Sequence, residues 1–196
     1  MTESSLEEEP LVDLAAACVD YVTRATGVVP DFTPETLPLV DHYLSTAREQ
    51  LSERPELAAL VSRAVGAYFG EMLRIHLAGF WRIPGPNVHD WSVCGSAAFM
   101  RINPVGVAYD ALYSSADHDG PRSVLWVAPE DRELVMARLD QLPELPEDQY
   151  FLLSTRLEVL EIAHDTLRAQ MIERGFEEET FGPSDYDAEL RPLGLN

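Results

Sequence analysis

The stretch ELAALVSRAVGAYFGEMLRIHLA, residues 56–78, decides how the rest of the chain is interpreted. Its apolar residues occupy nearly the whole circumference of a helix, which is typical of a central, largely buried helix. The face predicted to be buried consists of Leu57, Leu60, Val61, Ala64, Tyr68, Met72 and Ile75. Gly66 and Gly70 lie about one turn apart, although an interior glycine costs a helix about 1 kcal/mol relative to alanine. Their smooth strip predicts that another backbone or a ligand packs closely here.

Two more helices are predicted before this stretch. Apolar residues at helical spacing between positions 11 and 25 form one face of the first helix, which ends at Gly27. The second begins near Pro34, where Phe32 is placed to pack against Leu37. The face of the second helix predicted to be buried consists of Leu37, Val40, Leu44, Ala47 and Leu51.

The pattern changes after residue 78 to short apolar runs separated by Gly, Pro and Asn. The runs at 80–83, 91–94, 97–102 and 123–127 predict a small antiparallel sheet of three to four strands. Two shorter helices are predicted over 104–115 and 129–141. The chain is therefore expected to have an α+β fold, in which N-terminal helices and a long C-terminal helix pack on the sheet.

The long C-terminal helix is predicted over 147–174. Its apolar residues alternate at spacings of three and four, and the seam includes Leu153, Leu157, Leu160 and His164. Such a seam is typical of a coiled-coil homodimer. Additional apolar residues widen the stripe and favour packing onto the protein's own core instead. Both alternatives remain open at this point.

The ends of the chain are acidic and predict a simple domain organisation. Residues 1–9 are expected to form an acidic flexible tail, and 177–196 an acidic C-terminal tail. A single α+β domain is expected over 10–176. The length of 196 residues fits one domain better than two.

Charge excludes several classes of partner. The sequence has 34 Asp and Glu residues against 14 Lys and Arg, a formal net charge of -20. Binding to nucleic acid or to an anionic membrane needs a basic face, so neither is expected. A basic protein partner fits the charge. The acidic N-terminus and the lack of a long apolar run predict a cytoplasmic protein.

The candidate site residues cluster around Glu71 in the third helix. Glu71 lies on the apolar line of Tyr68, where a carboxylate needs a partner, and Arg74 is the nearest by spacing. Arg82 and Arg101 on the neighbouring strands are further candidates for pairing or for an anionic substrate. Trp91 is the best candidate for an exposed aromatic anchor. The structural alternative is an ion pair that fastens the helix to the sheet.

The segment AYFGEMLRIHLAGFW, residues 67–81, resembles a motif of a family of uncharacterised bacterial proteins with a domain of unknown function. Its matching residues are Tyr68, Gly70, Glu71, Arg74, Gly79 and Trp81. The resemblance extends over about 10–105 and implies a helix followed by a strand. It implies no activity, substrate or cofactor.

No motif nominates a catalytic residue, a metal ligand or a cofactor. The five histidines lack the HxxxH and HExxH spacings, and the sequence has no GxSxG, P-loop or GxGxxG motif. The first hypothesis is therefore a non-enzymatic acidic interaction domain (an adaptor, accessory or immunity-type protein) that binds a basic protein. The alternative is a small-molecule-binding protein or enzyme with a polar pocket between the third helix and the sheet, around Glu71.

Overall fold

The α+β fold is confirmed by a computed structural model, which describes the backbone of residues 4–189 and the side chains of 11–146 and 148–189. This part of the chain contains eight α-helices and a four-stranded sheet. The helices are α1 Ser4–Thr26, α2 Leu37–Gln50, α3 Leu57–His76, α4 Pro104–Tyr113, α5 Arg132–Leu139, α6 Glu147–Tyr150, α7 Leu153–Glu173 and α8 Pro183–Glu189. The strands are β1 Gly79–Arg82, β2 Ser92–Gly95, β3 Met100–Ile102 and β4 Trp126–Val127.

The sheet is antiparallel, and its strands follow one another in chain order, β1-β2-β3-β4. Phe80 pairs with Cys94, Cys94 with Arg101, and Arg101 with Trp126. Because side chains alternate along a strand, these four lie on one face of the sheet, together with Arg82 and Ser92. We name this the outer face. The opposite face carries Trp81, Val93, Ile102 and Val127, which pack into the core around α3.

The prediction that α3 is central and largely buried is confirmed, since 12 of its residues are buried. The two glycines allow the close approach that their spacing predicted. A Cβ atom at Gly66 would lie 2.6 Å from the Cα atom of Val105 in α4, and one at Gly70 would lie 2.2 Å from the indole of Trp81. Protein atoms therefore fill this strip. Leu60 and Ile75, predicted to be buried, are instead exposed.

The second helix begins later than predicted, because a 3-10 turn over Pro34–Thr36 precedes α2. Proline suits this turn, since its fixed φ is compatible with a first helical turn. Phe32 adopts a positive φ of 63° and stacks on the ring of Tyr68, with centroids 4.6 Å apart. The predicted buried face is confirmed except for Leu51, which is half-buried.

The predicted helix over 147–174 is in fact two helices, α6 and α7, separated by Phe151 and Leu152. The start of α7 is set by Asp41 of α2. Its carboxylate accepts hydrogen bonds from the backbone N–H groups of Leu153 (2.7 Å) and Ser154 (3.2 Å) and from the Ser154 hydroxyl (2.8 Å). Asp41 therefore caps α7 from another helix and satisfies donors that a helix start leaves unpaired.

The seam of α7 faces the protein's own core. Leu153, Leu157 and Leu160 are buried within the chain, and the side chain of His164 is largely covered. These leucines are unavailable to a second copy without unfolding. A homodimer through this seam is therefore not supported, and the core alternative accounts for the periodicity.

The C-terminal segment is not a free acidic tail over its described part, 177–189. Tyr186 of α8 is only 1% exposed, and its hydroxyl accepts from the Met100 N–H (3.1 Å) and lies 2.8 Å from the Gly95 carbonyl oxygen. Tyr186 therefore attaches α8 to the hairpin of β2 and β3. The acidic composition of this segment gives no indication of that attachment. The predicted N-terminal tail also changes, since α1 begins at Ser4. Residues 1–3 and 190–196 lie outside the described residues.

None of the helices that the structure describes is long and apolar enough to cross a membrane.

Replacing Asp41 tests the cap of α7. Asp41→Ala is expected to lower the free energy of unfolding by about 1–3 kcal/mol, because the buried N–H of Leu153 and the partly buried N–H of Ser154 lose their acceptor. Asp41→Asn is expected to cost less, since an amide oxygen still accepts from Leu153 and burial raises the pKa of the Asp41 carboxyl. Urea denaturation measures both. Equal losses in the two variants, or no loss for alanine, would contradict the cap.

Candidate functional site

Glu71 is part of a contact that joins α3 to the sheet. Arg74 donates two hydrogen bonds to its carboxylate, Nε to Oε2 at 2.9 Å and Nη2 to Oε1 at 2.6 Å. The indole N–H of Trp81 in β1 donates to Oε2 at 3.3 Å. The Arg74 hydrogen bonds lower the pKa of Glu71, an effect that partial burial opposes. Both carboxylate oxygens of Glu71 thus accept hydrogen bonds from the protein itself.

The polar pocket predicted between the third helix and the sheet is replaced by apolar packing. The cavity between α3, α7 and the sheet has a volume of about 20 Å³, room for about one water molecule, and its lining is mostly apolar. Tyr68 is fully buried, and its hydroxyl accepts from the Phe32 N–H at 2.9 Å. Tyr68, Glu71 and Arg74 thus contact their own chain. The ion pair lies within α3 and is partly exposed, and the link from Glu71 to the sheet is the Trp81 hydrogen bond instead of an ion pair.

The other three predicted residues are brought together elsewhere. Arg82, Trp91 and Arg101 line an open groove of about 550 Å³ on the outer face of the sheet. Neither arginine approaches Glu71 as an ion-pair partner, because both side chains lie on the face of the sheet that points away from α3. We name this the sheet groove. Its lining consists of Arg82, Pro84, His89, Asp90, Trp91, Ser92, Arg101, Ile102, Asn103, Arg122, Val124 and Trp126.

Arg101 is the central cation of the sheet groove. Its guanidinium lies 5.1 Å from the centroid of the Trp126 ring, a cation–π contact between adjacent strands. Among the described residues, no carboxylate lies within ion-pair distance of it. Burial and, to a lesser degree, the nearby charge of Arg82 lower the pKa of Arg101. A half-buried cation with a cationic neighbour favours an anion that arrives from outside.

Arg82 stands at the end of the groove that α8 borders. Its Nε donates to the Asp187 carboxylate at 3.0 Å. Asp187 follows Tyr186, whose burial holds α8 against the sheet. The Asp187 carboxylate thus pairs with Arg82 in the same way that an external anion would.

Two lining residues were missed as site candidates in the sequence. Arg122 belongs to the loop 116–122, which has the composition of an ordinary exposed loop, and Trp126 lies in the apolar run 123–127 that predicts a strand. Trp126 lines the groove beneath Arg101. Arg122 donates to the Ala116 carbonyl oxygen at 2.9 Å and has no carboxylate partner among the described residues. No local signal identifies Arg122, because its place beside β4 depends on the course of the loop.

Trp91 and the loop before it form another wall of the sheet groove. Trp91 is largely buried, and its indole N–H donates to the Gly85 carbonyl oxygen at 2.8 Å, so it fixes the loop rather than serving as an exposed anchor. Asp90 accepts from the Asn87 amide at 3.0 Å. His89 is exposed at the rim. The wall is therefore ordered by its own hydrogen bonds.

The sheet groove provides charged and aromatic binding groups, and neither Cys94 nor Cys18 is among its lining residues. Burial raises the pKa of the Cys94 thiol to about 11, and that of Cys18 to about 12, which keeps both protonated near neutral pH. Within residues 4–189, the described side chains contain no group of three or more His, Cys, Asp or Glu residues placed to hold a metal ion. The arrangement can orient an anion between guanidinium groups and an aromatic ring.

Comparisons with protein-family models, curated proteins and solved structures find no match to this chain. The resemblance of residues 67–81 to a family motif therefore implies no function for this chain.

The pH dependence of stability tests the role of Glu71. Glu71→Gln is expected to cost less than about 1 kcal/mol near pH 7, because the Arg74 ion pair is partly exposed. The lowered pKa of Glu71 means that this contribution is present above its ordinary pKa of 4.5 and is lost as the pH falls below it. The difference between wild type and variant should therefore shrink towards pH ~3, as measured by urea denaturation.

Glu49→Gln, an exposed change of the same type on α2, is the matched control. A difference for Glu71→Gln that stays constant or grows with acid would contradict the structural role of its carboxylate.

Proposed function

We propose that this protein binds a small polyanion in the sheet groove. One observation carries the proposal: the half-buried guanidinium of Arg101 has no carboxylate partner among the described residues, although the chain has 34 acidic side chains. Arg82 and Arg122 line the same groove. The groove lining holds these three arginines against one carboxylate, Asp90, so it keeps a positive charge even with Arg82 paired to Asp187. In so acidic a protein, such a surface favours negative charge.

The ligand class follows from the groups that face the groove. Guanidinium groups bind phosphate and carboxylate oxygens in a bidentate manner, so the shared chemistry is a compact anion with two or more charges. The volume of about 550 Å³ is within the range that is usual for small-molecule sites. The net charge of -20 repels anions at long range. Salt in the solution screens this repulsion over a distance of about 10 Å.

Arg101→Met tests the proposal. Methionine keeps an apolar side chain against Trp126 and removes the charge. Isothermal titration of the full chain with pyrophosphate, and separately with citrate, is expected to give at least ten-fold weaker binding in the variant, about 1.4 kcal/mol. Arg63→Met removes an exposed arginine of α3 that does not line the groove, so it controls for the change in net charge.

Asp187→Asn provides a variant with the opposite expected effect. Loss of the carboxylate releases Arg82, so pyrophosphate should bind several-fold more tightly than to the wild type. Glu189→Gln on the same helix is the control of equal charge. The proposal fails if neither anion binds the wild type at low salt, or if Arg101→Met binds as well as Arg63→Met does.

A basic protein partner is the second candidate function, and the observation that favours it is the acidic excess, which extends beyond the two ends of the chain. Such a complex gains much of its association rate from long-range attraction and is sensitive to salt. A pull-down with the full chain as bait is expected to retain a positively charged protein at low salt and to lose it as salt rises. Recovery of no basic partner at either salt concentration would count against this candidate.

A further inference from the structure

Arg122 is the one arginine of the sheet groove that comes from a loop. It lies in the segment 114–125 between α4 and β4, which we name the α4–β4 loop. Arg82 and Arg101, in contrast, are carried by strands. A loop side chain that becomes ordered only when a ligand binds contributes less to affinity, because its lost freedom opposes binding. The contribution of Arg122 therefore depends on how firmly the α4–β4 loop is held.

The α4–β4 loop lies directly on α4, and two glycines allow this close approach. A Cβ atom at Gly106 of α4 would lie 2.6 Å from the carbonyl carbon and oxygen of Arg122. One at Gly120 of the loop would lie 2.5 Å from the ring of Tyr109 in α4. Any larger residue at either position would displace the loop, because nonbonded atoms do not approach so closely. The backbone of Arg122 is therefore seated against the helix.

A buried carboxylate of α4 holds the loop on both sides of Arg122. Asp110 accepts hydrogen bonds from the Ser123 hydroxyl and from His118 Nε2, the latter at 2.9 Å. His118 Nδ1 accepts from the Gly120 N–H at 3.1 Å, so Nε2 carries the proton that is donated to Asp110. The side chains of Asp110 and His118 are only 3% and 1% exposed. Water therefore competes little for these hydrogen bonds.

Asp110 is itself fixed by its surroundings. Arg156 of α7 donates from Nη2 to its carboxylate at 3.3 Å, which offsets the buried negative charge. The guanidinium of Arg156 lies 4.3 Å from the centroid of the Tyr150 ring. The helix that carries Asp110 also begins at the sheet groove, since its cap residue Asn103 is a lining residue and accepts from the Gly106 N–H at 2.9 Å. The attachment of the loop and one wall of the groove thus belong to the same helix.

The side chain of Arg122 is oriented by the loop without being neutralised. Its Nη1 donates to the Ala116 carbonyl oxygen at 2.9 Å. In the part of the chain that the structure describes, its Nε and Nη2 groups have no protein acceptor within hydrogen-bond distance. The guanidinium therefore keeps its charge and most of its donors for a ligand.

We propose that Asp110 and His118 are positioning residues of the sheet groove, which hold Arg122 in place for an incoming anion. This inference rests on the proposed function, since it concerns how the groove binds its ligand. Neither Asp110 nor His118 lines the groove. They act through the loop: because Arg122 is already ordered, less conformational freedom is lost when the anion binds.

His118→Phe tests the proposal. Phenylalanine keeps a ring beside Tyr109 and Tyr113, whose centroids lie 5.3 and 5.6 Å from that of His118, and removes the donor to Asp110. Isothermal titration of the full chain with pyrophosphate is expected to give binding weaker by about three-fold or more. His118→Gln restores an N–H donor and should bind nearly as the wild type does. His42→Phe, at an exposed position of α2, is the matched control and should leave binding unchanged.

A double-mutant cycle with Arg122→Met separates positioning from a general loss of stability. If His118 acts through Arg122, His118→Phe should not weaken pyrophosphate binding further once Arg122 is replaced. Equal losses in the presence and absence of Arg122 would overturn the proposal. Wild-type affinity in His118→Phe, or the same loss in His118→Gln, would also overturn it.

Circular dichroism establishes whether His118→Phe is folded. If it is not, Ser123→Ala takes its place in the cycle, since it removes only the hydroxyl donor on the other side of Arg122. Failure of pyrophosphate to bind the wild type overturns the proposed function and this inference together. Binding that is weakened by Arg101→Met but unchanged by His118→Phe overturns this inference alone.

Discussion

The contact of α3 with α4 and with the indole of Trp81 is the constraint on which the rest of the structure depends. At Gly66 and Gly70 there is no room for even one carbon atom more, because the Val105 backbone and the Trp81 ring occupy that space. The loss of helix propensity at two glycines is offset by this close packing. Once Trp81 lies against α3, the pleat of β1 determines which side chains face outward.

The outer face follows from this arrangement. Arg82 is the neighbour of Trp81 in the strand and therefore points away from α3, and the antiparallel register places Arg101 and Trp126 beside it. The residues predicted to form a single site around Glu71 thus lie on opposite sides of the sheet. Glu71 fastens the helix to the sheet through Trp81, while the arginines remain available on the other side.

Long-range capping and anchoring complete the fold. Asp41 starts α7 from a position 112 residues earlier in the chain, and Tyr186 binds α8 to a hairpin that lies about 90 residues before it. Both attachments use a buried polar group, the Asp41 carboxylate or the Tyr186 hydroxyl, at the end of another element. A buried polar group is well tolerated when it is hydrogen-bonded in this way. The sheet groove depends on one of these attachments, since α8 borders it.

The sequence by itself determined the first five helices, the small antiparallel sheet and the close approach at the two glycines, because hydrophobic periodicity and glycine spacing act over a few residues. It also identified Arg82, Trp91 and Arg101 as candidate site residues, but it did not show that they line the same groove. Only the tertiary structure decided where α7 begins, that α8 is attached, and that Arg122 joins Arg101. Those outcomes depend on contacts between distant segments, and side-chain periodicity carries no information on which distant segment a given face will meet.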